Sequence, residues 1–172
     1  MKTPTQNLHE TKFDSHERPA RCSLTVEYLL TIVSVALGLI VAAVLSPKDS
    51  SFLPNVLFYW GPHICVLVIF GLYRPPQPAA FAGVAIALAV YLAVFGAWVF
   101  SRSNPESMTW LGYIFSFPGA LVGALLARVW IFRHQVIQPF SVVIVVAPAV
   151  LFGIAANQAI VCTTVMYCKG MR

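Results

Sequence analysis

The sequence predicts an all-α protein, a polytopic membrane bundle of five transmembrane helices. Its composition is 59% hydrophobic and 10% charged, which is far from that of a water-soluble domain. The charged residues are clustered, and they leave five uncharged stretches at 28–47, 50–73, 75–101, 107–127 and 134–168. Each stretch is long enough to cross a hydrocarbon core of about 30 Å as a helix that rises about 1.5 Å per residue.

The first element is a polar segment followed by a hydrophobic run. Residues 1–23 are rich in charged side chains and poor in large apolar ones, which predicts a disordered cytoplasmic tail. The run after it exceeds the length of a signal-peptide core, so a retained span over about 24–45 is expected. Glu27 lies at the entry of this span, where the free N–H groups of a helix N-terminus favour a carboxylate.

Four further spans follow at about 53–73, 79–100, 108–127 and 140–163. Residues 24–168 are therefore predicted to form one transmembrane bundle, and 169–172 a short C-terminal tail. Pro62, Pro118 and Pro148 predict breaks in three of the spans, because proline removes a helical hydrogen bond. The alternative is four spans plus one re-entrant or broken helix, since Gly61 and Pro62 interrupt the second span.

The distribution of basic residues predicts the orientation. With the N-terminus inside, seven Lys and Arg residues lie on the inner side and four on the outer side. The inner set is Lys2, Lys12, Arg18, Arg21, Arg74, Arg128 and Arg133, and the outer set is Lys48, Arg102, Lys169 and Arg172. Because basic loops are retained in the cytoplasm, we expect a multi-pass protein of the cell (inner) membrane with its N-terminus cytoplasmic and its C-terminus outside.

Three rows of small residues predict where helices pack closely, because close backbone approach drives helix association in lipid. The rows are Ser34, Gly38 and Ala42 on the first span, Ala85, Ala89, Ala93 and Ala97 on the third, and Gly119 and Gly123 on the fourth. We expect the first, third and fourth spans to be in close contact. Homodimerisation through the Gly119 face is the alternative to packing within one chain.

The spans lack the residues that membrane-embedded chemistry usually needs. No Asp, Glu, Lys or Arg lies deep within them, which argues against proton-coupled transport, and no nucleophile–base or metal-binding pattern is present. His63 and Cys65 are two residues apart and would point to opposite helix faces, so they are a poor ligand pair. We therefore predict no enzyme activity, no metal and no cofactor. Cys162 and Cys168 would face the oxidising side, where a disulfide between them is one alternative.

Polar side chains within the spans lie towards the outer side in this orientation. The candidates are Asn55, His63, Ser116, Asn157 and Gln158. They could line an outward-facing polar vestibule, or they could join helices through hydrogen bonds, each worth about 0.6–2 kcal/mol. The sequence leaves both interpretations open.

The leading functional hypothesis is a non-catalytic protein that docks another membrane protein. It would be an accessory subunit or a protective factor of the immunity or exclusion type, because short loops leave no room for an extramembrane catalytic domain. The alternative is a small channel or uncoupled carrier. The expected partners are the lipid bilayer and another membrane protein, with a homo-oligomer as a further alternative. Nucleic acid is not expected, because the basic residues are spread over six polar segments.

Overall fold

The computed structural model describes residues 18–72, 77–102, 109–135 and 138–164, and every regular element in these ranges is a helix. The helices are α1 (Arg18–Leu45), α2 (Phe52–Leu72), α3 (Pro78–Phe100), α4 (Thr109–Ile114), α5 (Phe117–His134) and α6 (Pro139–Thr164). Together α4 and α5 make one membrane-length segment, so the chain has five spans that are long and apolar enough to cross a membrane. The predicted helical membrane bundle is confirmed.

The first helix begins earlier than the sequence suggested. It starts at Arg18, so the prediction of a disordered tail is wrong for 18–23, and residues 1–17 lie outside the described part of the chain. Pro19 is compatible with this start because the first turn of a helix has no use for its missing N–H. Glu27 consequently lies well inside α1 rather than in its first turn, and only 8% of its surface is exposed.

The second span is a continuous helix. Pro62 lies inside α2 without ending it, and Pro148 lies inside α6 in the same way, so the predicted breaks at these two positions are wrong. The re-entrant alternative for the second span is also wrong. Proline is tolerated inside membrane helices when neighbouring groups satisfy the backbone atoms that it frees.

The interruption lies in the fourth span. α4 ends at Ile114, and α5 begins at Phe117 with Pro118 in its first turn, where proline is favoured. α5 then continues to His134, beyond the predicted end of the span. Arg128 and Arg133 therefore lie on the helix itself and not after its end, where the predicted span placed them.

α3 occupies the centre of the bundle. Its residues are buried on nearly all sides, which is typical of a helix that is apolar all round. α1 and α6 pack closely against α3, and α5 packs closely against α6. A Cβ added at Gly83 of α3 would lie 2.7 Å from the Val146 Cβ of α6, so these two helices meet with no room for a further side chain.

The small-residue rows lie in two separate contacts. Ser34, Gly38 and Ala42 are buried on α1, and Gly38 faces Ala89 of α3. On α3 the contact ends before Ala97, which is exposed, while Ala85 is buried and Ala93 is half-buried.

The fourth span does not join the first. Gly119 and Gly123 of α5 face the backbone of Gly153 and Ala149 of α6, and α5 meets α3 only weakly. The predicted mutual contact of the first, third and fourth spans is therefore wrong for the fourth. Gly153 explains the difference, because a glycine on each helix lets α5 and α6 approach most closely. Gly119 and Gly123 are thus buried against α6 within one chain.

Candidate polar site at the interruption of the fourth span

The interruption between α4 and α5 frees backbone carbonyl groups. The Ser116 N–H donates to the Tyr113 carbonyl at 3.1 Å, so the Gly112 carbonyl lacks its usual helical donor. Pro118 has no N–H to offer the Ile114 carbonyl. Within a bilayer, an unsatisfied carbonyl costs several kcal/mol, so the site needs donors from elsewhere.

α6 supplies these donors through two adjacent amides. The Gln158 Nε2 atom donates to the Gly112 carbonyl at 2.8 Å, and the Asn157 Nδ2 atom donates to the Phe115 carbonyl. The Ser116 hydroxyl also donates to the Gly112 carbonyl, at 2.8 Å. The Gly112 and Phe115 carbonyls at the break are therefore paired with a serine of the same span and with side chains of the neighbouring helix.

α3 contributes a tyrosine to the same site. The Tyr91 hydroxyl lies 2.6 Å from the Ser116 hydroxyl, and the Gln158 Nε2 atom donates to Tyr91 at 2.9 Å. We call Tyr91, Ser116, Asn157 and Gln158 the capping cluster. It joins α3, α4–α5 and α6 at one point of the bundle.

A second polar group ties α2 to α4. The Tyr113 hydroxyl of α4 donates to the Tyr59 carbonyl of α2 at 3.1 Å and lies 3.3 Å from Nδ1 of His63. That Nδ1 atom is also 3.0 Å from the Tyr59 carbonyl. We call Tyr59, His63 and Tyr113 the α2 latch. The Tyr59 ring also packs on Trp110, with ring centroids 4.4 Å apart.

The latch contains a buried atom without a hydrogen bond. His63 is 3% exposed, and its Nε2 atom has no hydrogen-bond partner. The Leu88 backbone of α3 lies near the His63 ring, but Nε2 makes no hydrogen bond of normal geometry. Because an imidazole has two nitrogens to satisfy, this arrangement leaves one of them unpaired.

The two groups form one continuous seam. The Tyr91 and Tyr113 rings stack with centroids 5.5 Å apart and planes 13° apart. Tyr113 and Ser116 are fully buried. The polar side chains thus cross the interior from α2 to α6 as a packed, hydrogen-bonded layer.

The structure brings together four of the five sequence candidates. Ser116, Asn157 and Gln158 are in the capping cluster, and His63 is in the latch. Asn55 is only half-buried near the start of α2 and makes no side-chain hydrogen bond to the residues described here. Asn157 borders a groove of about 350 Å³ between α5 and α6, whose other lining residues are apolar.

The tyrosines are the residues that the sequence analysis missed. Tyr59, Tyr91 and Tyr113 provide the side chains that connect the candidates to one another. A tyrosine placed well inside a span, away from the interfacial belt, requires a partner for its hydroxyl when it is buried. Tyr91, in the middle of the third uncharged stretch, carried that signal.

The cysteines lie apart from this seam. Cys65 is a free, exposed cysteine on α2, and Cys162 is disulfide-bonded. The predicted partner of Cys162, Cys168, lies outside the described residues. Within the described ranges, no group of three or more His, Cys, Asp and Glu residues could hold a metal ion.

No protein-family model matches the chain, and neither a curated protein nor a solved structure matches it.

Proposed function

We propose that the protein is a non-catalytic membrane protein that acts by docking another membrane protein, as an accessory subunit or as a protective factor of the immunity or exclusion type. The observation that carries this proposal is the capping cluster. In carriers with broken helices, the freed carbonyls and helix ends face a substrate or an ion. Here Ser116, Asn157 and Gln158 donate hydrogen bonds to the Gly112 and Phe115 carbonyls at the break.

The lipid-facing surface supports docking in a second way. A groove of about 620 Å³ lies between α2 and the fourth span, and its lining includes Leu57, Gly61, Cys65 and Leu121. A Cβ added at Gly61 would meet nothing within 4 Å, so packing within the chain does not explain this glycine. Small residues on lipid-facing helices allow the close approach that membrane partners need.

We further propose that the protein lies in the cell (inner) membrane with its N-terminus cytoplasmic and its C-terminus outside. Arg128 and Arg133 lie on the last turns of α5, at the end of the bundle where α1 begins, and this end would be cytoplasmic. Lys48 and Arg102 lie at the other end, where the Arg102 guanidinium is 3.9 Å from the centre of the Trp98 ring. The disulfide-bonded Cys162 is also near that end, as expected of an oxidising compartment.

A small channel or uncoupled carrier is the second candidate. The observation in its favour is His63, a buried histidine with an unpaired Nε2 atom next to the interrupted span. In a carrier this atom would bind a transported molecule that donates a hydrogen bond.

Site-specific photo-crosslinking in the native membrane tests the docking proposal. A crosslinking amino acid is placed singly at exposed positions around the bundle: Leu57, Val122, Val44 and Phe152. Docking predicts that one partner protein is captured from adjacent positions on one side and not from the opposite side. Capture that is equal on all sides would reflect random collision and would contradict docking.

A transport assay separates the two candidates. Purified protein in proteoliposomes should show no flux of small solutes above that of empty vesicles. Flux that is lost in His63→Leu, with insertion unchanged, would favour the carrier over the docking protein.

A further inference from the structure

α2 has open space on both of its long sides. One side borders the 620 Å³ groove towards the fourth span. The other borders a groove of about 490 Å³ towards α1, lined by residues that include Val35, Trp60 and Phe81. The lining of both grooves is apolar. α2 therefore has an apolar groove on each side, which lipid chains can enter and leave.

The way α2 contacts its neighbours differs from that of the other spans. α1 with α3 and α5 with α6 meet through close backbone approach, and α2 has few such approaches. It instead buries a row of larger side chains: Val56, Tyr59, His63, Val66 and Phe70. Larger side chains can change rotamer as a helix shifts, whereas backbone atoms in contact cannot give way.

The described hydrogen bonds from side chains of other spans reach α2 at one place. Tyr113 donates to the Tyr59 carbonyl and lies beside His63 Nδ1. Pro62 removes a backbone donor within the same turn, which weakens the helix there. The contact thus lies in the turn of α2 that lacks one backbone donor.

One polar atom of the α2 latch lacks a hydrogen bond. His63 Nε2 has no partner while α2 is in this position, and an unpaired buried polar atom raises the free energy of the state that contains it. A displaced α2 would take that atom out of its present environment. The observed arrangement is therefore held by the Tyr113 hydroxyl against a cost at the neighbouring histidine.

We propose that α2 is the movable span of the bundle, and that the Tyr113 hydroxyl of the α2 latch holds it against the fourth span. When the latch opens, α2 shifts sideways into one of its flanking grooves while α1, α3, α5 and α6 keep their positions. Helix shifts of about 1–2 Å are a common form of such movement. α2 would move in this way whether or not another membrane protein binds the bundle.

Distance measurement between spin labels in lipid nanodiscs tests this movement. Cys65 is a native label site on α2. A Cys22→Ser background removes a further cysteine, and mass spectrometry without reduction checks that the Cys162 disulfide is retained. The second label is placed at Phe152→Cys on α6, which is 76% exposed. Tyr113→Phe should broaden and shift the distance distribution between the two labels, because it removes the latch hydroxyl and keeps the ring.

Tyr91→Phe is the matched control. It removes the hydroxyl of the tyrosine that stacks on Tyr113, but its bonds run to Ser116 and Gln158 rather than to α2. It should leave the Cys65–Phe152 distribution as in wild type. An unchanged distribution in Tyr113→Phe, or an equal change in both variants, would overturn the proposal.

A measurement without latch mutations guards against failure of Tyr113→Phe to fold. A reference pair of labels at Val94→Cys on α3 and Phe152→Cys on α6 is made in a chain that also carries Cys65→Ala. The Cys65–Phe152 distribution should be broader than this reference distribution, because only the first pair includes α2. Equal widths would show that α2 is as fixed as the other spans.

Discussion

Two kinds of helix contact hold this bundle, and they differ in how much they can give way. Between α5 and α6, glycines bring backbone against backbone at Gly119, Gly123 and Gly153. Between α2 and α4, the contact consists of tyrosine, histidine and tryptophan side chains joined by hydrogen bonds and ring packing. The first kind leaves no room for an atom added at the glycines, and the second is built from side chains that can rotate. Backbone fit therefore holds α5 against α6 along the glycines, whereas hydrogen bonds and ring packing hold α2 against α4.

The largest effect is expected where backbone meets backbone. A Cβ at Gly123 would overlap the Ala149 carbonyl, which cannot move aside. Gly123→Leu should therefore destabilise the bundle by about 3 kcal/mol or more, at or above the usual cost of overpacking. Thermal unfolding in detergent would measure this loss. Gly61→Leu is the control and should change stability by less than about 0.5 kcal/mol, because its Cβ meets nothing within 4 Å. Equal losses in the two variants would contradict the comparison.

The next effect is expected in the capping cluster. Gln158→Leu keeps the volume but removes the donor to the Gly112 carbonyl, the Tyr91 hydroxyl and the Ser116 hydroxyl. Stability should fall by about 1–3 kcal/mol, because hydrogen bonds to three acceptors are lost and each has a net worth of about 0.5–1.5 kcal/mol.

Thr163→Val on the same helix is its control. The Thr163 hydroxyl bonds only to carbonyls of its own helix, at Ala159 and Ile160. Its loss should be small in the same unfolding measurement. If Gln158→Leu were as stable as Thr163→Val, the capping cluster would not hold the interrupted span.

The next effect is a difference in stability between two glycine variants of α3, one beside a stiff side chain and one beside a flexible side chain. A Cβ at Gly96 would meet the end of the Leu45 side chain at 2.6 Å, and that end can rotate away. A Cβ at Gly83 would meet the branched Val146 at 2.7 Å, whose χ1 is restricted. Gly83→Ala should therefore cost about 1–3 kcal/mol and Gly96→Ala less than about 1 kcal/mol. The reverse order of the two unfolding temperatures would contradict this reading.

The smallest effect is expected at Glu27. Its carboxylate makes no hydrogen bond or ion pair to the residues that the structure describes, although the residue is 8% exposed. Glu27→Gln keeps the shape and removes no such contact, so unfolding should change by less than about 0.5 kcal/mol. Complete loss of stability or of partner crosslinking in Glu27→Gln would identify a functional carboxylate on α1.

The spans could be predicted from the sequence because their signal is local. Uncharged runs of 20 residues or more have few alternatives to a membrane helix, and eight of the ten predicted span boundaries lie within two residues of the observed ones. Most of the small residues in the predicted rows also lie on buried helix surfaces, as predicted. Neither local signal shows which helix surfaces meet. The small residues of the fourth span pack on α6 rather than on the first span, and Gly153 of α6, which makes this contact possible, lies outside the predicted rows.

The candidate site could be predicted only in part. Ser116, Asn157 and Gln158 stood out as polar residues in apolar runs, but the choice between vestibule and hydrogen-bonded contact depended on where the break lies. The sequence offered three prolines as equal candidates for a break. The structure interrupts only the span of Pro118, and the donors for its free carbonyls come from residues about forty positions later.

Hydrophobic length and charge spacing are properties of consecutive residues, and they suffice to predict a helical membrane protein with five spans. The tertiary structure decided that α3 is central, that α5 pairs with α6, and that the tyrosines and amides form one buried seam from α2 to α6. Those features depend on contacts between residues far apart in sequence, where backbone approach and the pairing of freed carbonyls are settled only when all the helices are assembled.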